Sequence, residues 1–257
     1  MNGLLAFGLV FLLMLFLFLA LDRATTRAIL TFFYLLTNSE RAAYYLYALV
    51  LLPGTLLHET SHWLMAKLMR VPTSGFSLIP RFENGQLVMG HVLVRKSDPI
   101  RSALVGLAPL FVGTVVVVTI ATRIFGMTWP FLFFEETITW RDMLALFWRE
   151  VHRIQSVPDA PLWFYILFSV SNAMVPSESD RVEWRRAFFW VALFTFLLIF
   201  GLRAPNVPAF LLWLLVSLGW YLIFAFSITI LVDVPILLLF NIGILIVGGL
   251  RGRFSFS

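Results

Sequence analysis

Two histidines and a glutamate stand close together in the segment TLLHETSHWLM, residues 55–65. His58, Glu59 and His62 match the pattern H-E-x-x-H, in which the histidines are four residues apart. On a helix, residues at this spacing share a face, so both imidazoles can reach one zinc ion. Glu59 lies beside that face, where its carboxylate can act as a general base toward water. The motif therefore predicts a hydrolytic site with one Zn²⁺ ion.

The rest of the sequence places this motif in a membrane. The chain of 257 residues is 60% hydrophobic and 13% charged, with a mean hydropathy of +0.91, which is typical of polytopic membrane proteins. Strongly polar side chains are rare in membrane helices and usually functional, which argues against two histidines that merely pack. The sequence contains no cysteine, so thiolate ligands and disulfides are excluded. The basic residues flank apolar runs and do not indicate a nucleic-acid partner.

The apolar runs predict an all-α polytopic membrane protein with about six transmembrane helices. It forms a single membrane-embedded domain over residues 1–257, with no separate soluble domain. The predicted spans are 3–21, 42–69 with a kink or restart at Pro53-Gly54, 100–125, 162–175, 187–202, 208–232 and a short, re-entrant or spanning 235–249. Residues 28–36 and an amphipathic helix over 138–155 are expected at the interface. Between the second and third spans, the turn signal Glu83-Asn84-Gly85 predicts a β-hairpin over 75–94.

A third zinc ligand is expected, because hydrolytic zinc usually has three protein ligands and one position for water. The order of the spans returns the segment after 162–175 to the side of the membrane where the motif lies. Glu178 and Asp180 are the acidic candidates in that segment. His91, in the predicted hairpin, and His152, on the opposite side, are less well placed.

Taken together, these segments resemble the site-2 protease family of intramembrane zinc metalloproteases. The similar features are H-E-x-x-H on a membrane helix, a following hairpin, and Asn172 eight residues before Asp180 with a proline between them. The segment GLAPLFVG, residues 106–113, is similar to the small-residue segment on the family's next helix. The family's N-x-x-P-x-x-x-x-D-G segment implies that Asp180 is the third ligand and that Asn172 helps to hold the substrate backbone.

Two positions depart from that family's pattern within the matching stretch, residues 42–185. Pro176 falls one place later than usual, and Arg181 replaces the glycine after the aspartate. These departures keep Glu178 open as the alternative ligand. The CaaX-processing membrane proteases use E-x-x-x-D, which fails here because Val182 stands four residues after Glu178. A serine protease is not indicated, since no G-x-S-x-G segment occurs.

The resemblance implies an endopeptidase that cuts transmembrane or membrane-anchored protein substrates in or near their membrane segments. In this interpretation Glu59 is the base, zinc with Asn172 stabilises the oxyanion, and the hairpin offers an edge to the unwound substrate. The resemblance also implies a multi-pass protein of the cell membrane with its active site toward the cytoplasm. Lysine and arginine are spread too evenly over the two sides to predict an orientation, and the sequence does not predict an oligomeric state.

Two other functions fit the same residues. A membrane transporter or metal-binding protein could use His58, His62 and Asp180 as a permeation site, although such a site does not need Glu59. An inactive protease-like scaffold would keep the fold and the motif without catalysis.

Overall fold

The computed structural model describes residues 2–77, 81–83, 86–88, 91–95, 97–127, 148, 152–174 and 209–250. Over these residues the chain is mostly helical, with short β-strands. Three described helices are long and apolar enough to cross a membrane, at Ala6–Thr37, Pro99–Ile124 and Val216–Leu250. This agrees with the prediction of a helical membrane protein.

The first helix, α1, runs without interruption over Asn2–Thr37. The predicted end of the first helix at residue 21 is therefore wrong, because residues 28–36, which were expected at the interface, belong to the same helix. The polar stretch 22–27 contains neither proline nor glycine, so nothing in its backbone ends the helix. Thr25 within that stretch is buried, whereas Arg23 and Arg27 are exposed, so only part of this stretch lies against the rest of the protein.

The next two helices follow each other directly, with α2 over Glu40–Val50 and α3 over Leu52–Leu68. The chain restarts at Leu51, just before Pro53-Gly54, which confirms the predicted interruption. Proline fits the first turn of a helix because the backbone N–H that it lacks has no partner inside the helix there. This new start sets the direction of α3, which carries the H-E-x-x-H motif.

A narrow antiparallel β-ribbon joins α3 to the next helix. Its strands are β1 (Thr73–Ser77), β2 (Arg81–Glu83), β3 (Gln86–Val88) and β4 (His91–Val94). Strand β1 pairs with β4, and β2 pairs with β3. Glu83 is opposite Gln86, and this antiparallel pairing of β2 with β3 agrees with the hairpin predicted over 75–94, while its turn signal at Asn84-Gly85 lies outside the described residues. Both β1 and β4 pack against α3.

Helix α4, Pro99–Thr119, leads back from the ribbon and continues as a π-helical turn over Ile120–Ile124. This confirms a helix where the span over 100–125 was predicted, and the helix is long and apolar enough to cross a membrane. Asp98 caps the start of α4, and its Oδ1 accepts a hydrogen bond from the Arg101 N–H at 3.0 Å. That bond is the largest of the causes that lower the pKa of Asp98 below its usual value.

Helix α5 covers Ala160–Ala173 and corresponds to the short helix predicted at 162–175. It packs against both α3 and α4. At Gly113 of α4, an added Cβ would lie 2.9 Å from the sulfur of Met174, just after α5. The small residues of α4 thus allow it to approach α5 closely, as their spacing predicted.

The last described helix, α6, extends over Ala209–Leu250. The prediction of two segments, 208–232 and 235–249, is wrong because Pro235 lies inside one continuous helix. Proline is tolerated within membrane helices where neighbouring groups compensate for the lost backbone hydrogen bond. Residues 235–249, which the sequence left open as a spanning or a re-entrant segment, are the continuation of α6.

Helices α1 and α6 lie side by side and run in the same direction. Aromatic contacts follow both helices in order, with ring centroids 5.3 Å apart for Phe7 and Trp220, 4.6 Å for Phe18 and Phe226, and 5.3 Å for Phe32 and Phe240. Aromatic pairs at these separations stabilise packing beyond the area that they bury. This contact along most of α1 explains why both helices continue past the positions where the sequence predicted their ends.

Several predicted elements lie outside the described residues. They are the span at 187–202, most of the amphipathic helix at 138–155, and the acidic candidates Glu178 and Asp180.

Candidate metal site

Helix α3 presents the three residues of the motif at the place where it packs against α4 and α5. Glu59 and His62 are each 8% exposed, and His58 is partly buried. Burying such groups in an apolar helix is costly unless they are satisfied by specific partners. The partners of the two histidines are found on the neighbouring helices.

Each histidine is held by a backbone carbonyl of another helix. His58 Nδ1 lies 2.7 Å from the carbonyl oxygen of Ala173 in α5, and His62 Nδ1 lies 2.8 Å from that of Val105 in α4. A carbonyl oxygen can only accept, so Nδ1 must carry the proton in both rings. In a neutral imidazole with this tautomer, Nε2 keeps a lone pair. Hydrogen bonding of the second ring nitrogen is also how metal-binding histidines are usually oriented.

The two lone-pair nitrogens converge on one point. His58 Nε2 and His62 Nε2 are 3.1 Å apart, and the two rings are nearly perpendicular, at 80°. Two acceptors at this distance repel each other unless a cation or a proton lies between them. Nitrogens bound at about 2.0–2.1 Å to one tetrahedral zinc ion lie about 3.3 Å apart. The pair therefore has the tautomers and the spacing that a zinc ion requires.

A close crossing of α3 and α5 fixes this geometry. The backbone N–H of Gly54, in the first turn of α3, donates to the buried Ser169 Oγ of α5 at 2.8 Å. N–H groups in a first helical turn have no partner within their own helix, so this hydroxyl satisfies one of them. Four residues further along each helix, His58 meets Ala173. The two helices thus run in the same direction, and the end of α5 lies beside the motif.

The third ligand cannot be identified from the described part of the chain. Among the described residues, no group of three or more His, Asp or Glu side chains could hold a metal ion. Glu178 and Asp180 fall four and six residues after Met174, the last described residue of that region. At about 3.3–3.6 Å per extended residue, both are within reach of a site that contacts Ala173.

Asn172 is brought to the same end of α5, directly before the residue that binds His58. It is buried, and its Nδ2 donates to the Phe168 carbonyl at 2.9 Å and to Asp233 Oδ1 at 2.8 Å. An amide nitrogen has two hydrogens, so both are engaged. In this arrangement Asn172 has no N–H left to stabilise an oxyanion, although that role was expected from the sequence.

Asp233 is the residue that the sequence analysis missed. It lies in the middle of α6 with no exposed surface, and it joins α6 to the end of α5 through Asn172. A signal was present, because a single carboxylate within a long apolar helix indicates a functional or structural site. It was overlooked because the segment was divided next to it, at Pro235, which placed Asp233 between two spans.

No protein-family model, curated protein or solved structure matches this chain. The functional assignment accordingly depends on the residues of the site and on their geometry.

Proposed function

We propose that this protein is an intramembrane zinc metalloprotease that hydrolyses peptide bonds in or near the transmembrane segments of membrane-protein substrates. The observation that carries the proposal is the convergence of two Nδ1-protonated histidines on one point, with Glu59 next to the first of them. H-E-x-x-H on a helix combines two imidazole ligands with a carboxylate base. A transport or storage site has no need for that carboxylate.

Each residue of the proposed site has a separate role in zinc binding or proton transfer. His58 and His62 would hold the zinc ion through Nε2, and Asp180 is proposed as the third ligand. The bound ion supplies Lewis acidity and lowers the pKa of water. Glu59 would accept a proton from the attacking water and later deliver it to the leaving amine.

The β-ribbon is proposed to receive the substrate. A helical substrate hides its amide groups in its own hydrogen bonds, so it must unwind before it can be cut. Each strand of a two-stranded ribbon has one edge that does not pair with the other strand, and an unwound segment can add there as a further strand. The packing of β1 and β4 against α3 keeps this surface next to the helix that carries His58 and His62.

The protein is proposed to lie in a membrane together with its substrate. The chain is taken to have about six spans, the three long apolar helices among them, and to lie in the cell membrane with its active site toward the cytoplasm. The proposed substrate is a transmembrane or membrane-anchored protein, and both proteins are surrounded by the lipid bilayer.

The test compares the full chain with Glu59→Gln, both purified in detergent and supplied with Zn²⁺. Each is incubated with a membrane-anchored test protein that has a single transmembrane segment. Loss of a general base costs about 10²–10⁴-fold in rate, so the variant is expected to bind zinc and to leave the substrate uncut. Glu40→Gln, the same change at an exposed position in α2, is the matched control and should cut normally.

The alternatives predict other results. Cleavage by Glu59→Gln at the wild-type rate would contradict the protease mechanism. Zinc binding without any cleavage by the wild type would favour a metal-binding protein, a transporter or an inactive scaffold.

A further inference from the structure

Asp233 is the most deeply buried acidic group among the described residues, and the proposed chemistry does not use it directly. Its side chain has no exposed surface, and its Oδ1 accepts from Asn172 Nδ2 at 2.8 Å. Its Oδ2 is buried and makes no hydrogen bond within the described part of the chain. A carboxylate in this position is costly, and an apolar side chain of similar volume would avoid the cost. The hydrogen bond to Asn172 is therefore the contact to explain.

The two acceptors around Asn172 determine which way its amide faces. The Phe168 carbonyl and the Asp233 carboxylate both attract the Nδ2 hydrogens, at 2.9 and 2.8 Å. A carbonyl oxygen cannot donate, so a flipped amide would place oxygen against oxygen. The amide oxygen of Asn172 must then point away from both, and it makes no hydrogen bond to any described residue. The side chain of Asn172 therefore offers its amide oxygen as a hydrogen-bond acceptor.

This acceptor lies at the end of α5 that carries the metal-site contact. The next residue, Ala173, binds His58 Nδ1 through its carbonyl. An unwound substrate in that place presents backbone N–H groups, which are donors that need acceptors in a water-poor site. The orientation of Asn172 matches that need, whereas the reverse orientation would offer only donors.

We propose that Asp233 is a positioning residue that holds the Asn172 amide so that its oxygen accepts a hydrogen bond from a backbone N–H of the substrate. This inference depends on the proposed protease function. Asp233 acts through Asn172 and does not touch the substrate itself. The proposal assigns α6 a function in substrate binding in addition to its packing against α1.

The experiment is a double-mutant cycle on cleavage of a membrane-anchored test protein, with zinc content measured in parallel. Asp233→Leu removes the acceptor, Asn172→Ala removes the amide, and a third variant carries both changes. The bond to the substrate joins a neutral amide oxygen and a neutral backbone N–H and corresponds to about 3–10-fold, so each single variant should lose that much in kcat/KM, mainly through KM. The double variant should be no worse than Asn172→Ala alone, because Asp233 acts only through the amide.

Two further variants separate positioning from general stability. Asp233→Asn keeps an oxygen acceptor and should recover most of the activity that Asp233→Leu loses. Thr229→Val is the matched control, since Thr229 is buried one turn earlier in α6 and bonds only the Ala225 carbonyl of its own helix. It should cleave as the wild type does, and all variants should keep their zinc because His58 and His62 are unchanged.

Independent losses that multiply in the double variant would overturn the proposal, as would wild-type kcat/KM in Asp233→Leu. If the wild-type chain cuts nothing, the proposed protease function fails. The pairing of Asp233 with Asn172 is then tested by thermal unfolding in detergent of the wild type, Asp233→Leu, Asn172→Ala and the double variant. Coupling between the two positions in that measurement would support the orientation of the amide without the protease function. If the effects on thermal unfolding are additive, the orientation of the amide is contradicted together with the protease function.

Discussion

Substitution of Gly54 by alanine should disturb the metal site without touching any of its ligands. Gly54 lies one helical turn before His58, on the face of α3 that crosses α5. A Cβ at this position would meet the carbonyl oxygen of Ser169 most closely, the carbonyl carbon at 2.5 Å and the Ala173 Cβ at 2.7 Å. These neighbours are backbone or the first atom of a side chain, so they cannot rotate away.

The size of the effect follows from these distances. Ordinary contact begins at 3.4 Å and the Ser169 carbonyl oxygen is nearer than its carbon at 2.5 Å, so α3 and α5 must separate by more than about 1 Å. The same displacement would lengthen the 2.7 Å bond between His58 Nδ1 and the Ala173 carbonyl beyond hydrogen-bonding distance. Overpacking of this kind costs about 1–3 kcal/mol of stability. Loss of a bond that orients a metal-binding histidine costs about 10–100-fold in metal affinity.

Both effects are measured on purified protein, by thermal unfolding in detergent and by zinc titration against a chelator of known affinity. Gly8→Ala is the matched control, because an added Cβ in that part of α1 meets nothing within 4 Å. Alanine there should leave stability unchanged or raise it by up to about 1 kcal/mol through helix propensity. If Gly54→Ala unfolds and binds zinc as Gly8→Ala does, then the close crossing does not position His58 and the reasoning fails.

The remaining predictions concern the third ligand and the ribbon. Asp180→Ala should lower zinc affinity by more than the 10–100-fold typical of residues that only orient a ligand, whereas Glu178→Ala should leave the ion bound; the reverse result would make Glu178 the ligand. Proline at Val88 or Val92 should slow cleavage while the zinc content stays constant, because proline removes a backbone donor from a strand. Normal rates in both proline variants, with normal folding, would refute substrate binding at the ribbon edge.

Local signals predicted the parts of the fold that are decided locally. The helix that carries the H-E-x-x-H motif, the interruption at Pro53-Gly54 and the pairing of β2 with β3 each depend on residues that are close in the sequence. Helix spacing, the restricted backbone of proline and turn chemistry are sufficient to identify them.

The failed predictions depend on contacts between distant segments. Helices α1 and α6 continue through residues 22–27 and Pro235 because each packs along the other, and such pairing cannot be derived from either segment alone. The sequence also does not predict that the carbonyls of Val105 and Ala173 orient the histidines. Every residue has a carbonyl, and only the crossing of the helices selects these two. The orientation of the Asn172 amide likewise depends on a partner on another helix.

Zinc stoichiometry of the purified full chain tests the central claim most directly. The wild-type protein, saturated with Zn²⁺ and freed of excess ion, is analysed for metal beside His62→Ala and the exposed-site control His152→Ala. About one zinc ion per chain is expected in the wild type and in the control. The His62→Ala chain should lose the ion, because a hydrolytic zinc site usually has three protein ligands and this variant lacks one of them. A wild-type chain that binds no zinc, or a His62→Ala chain that keeps it, would contradict the assignment of His58 and His62 as a metal site.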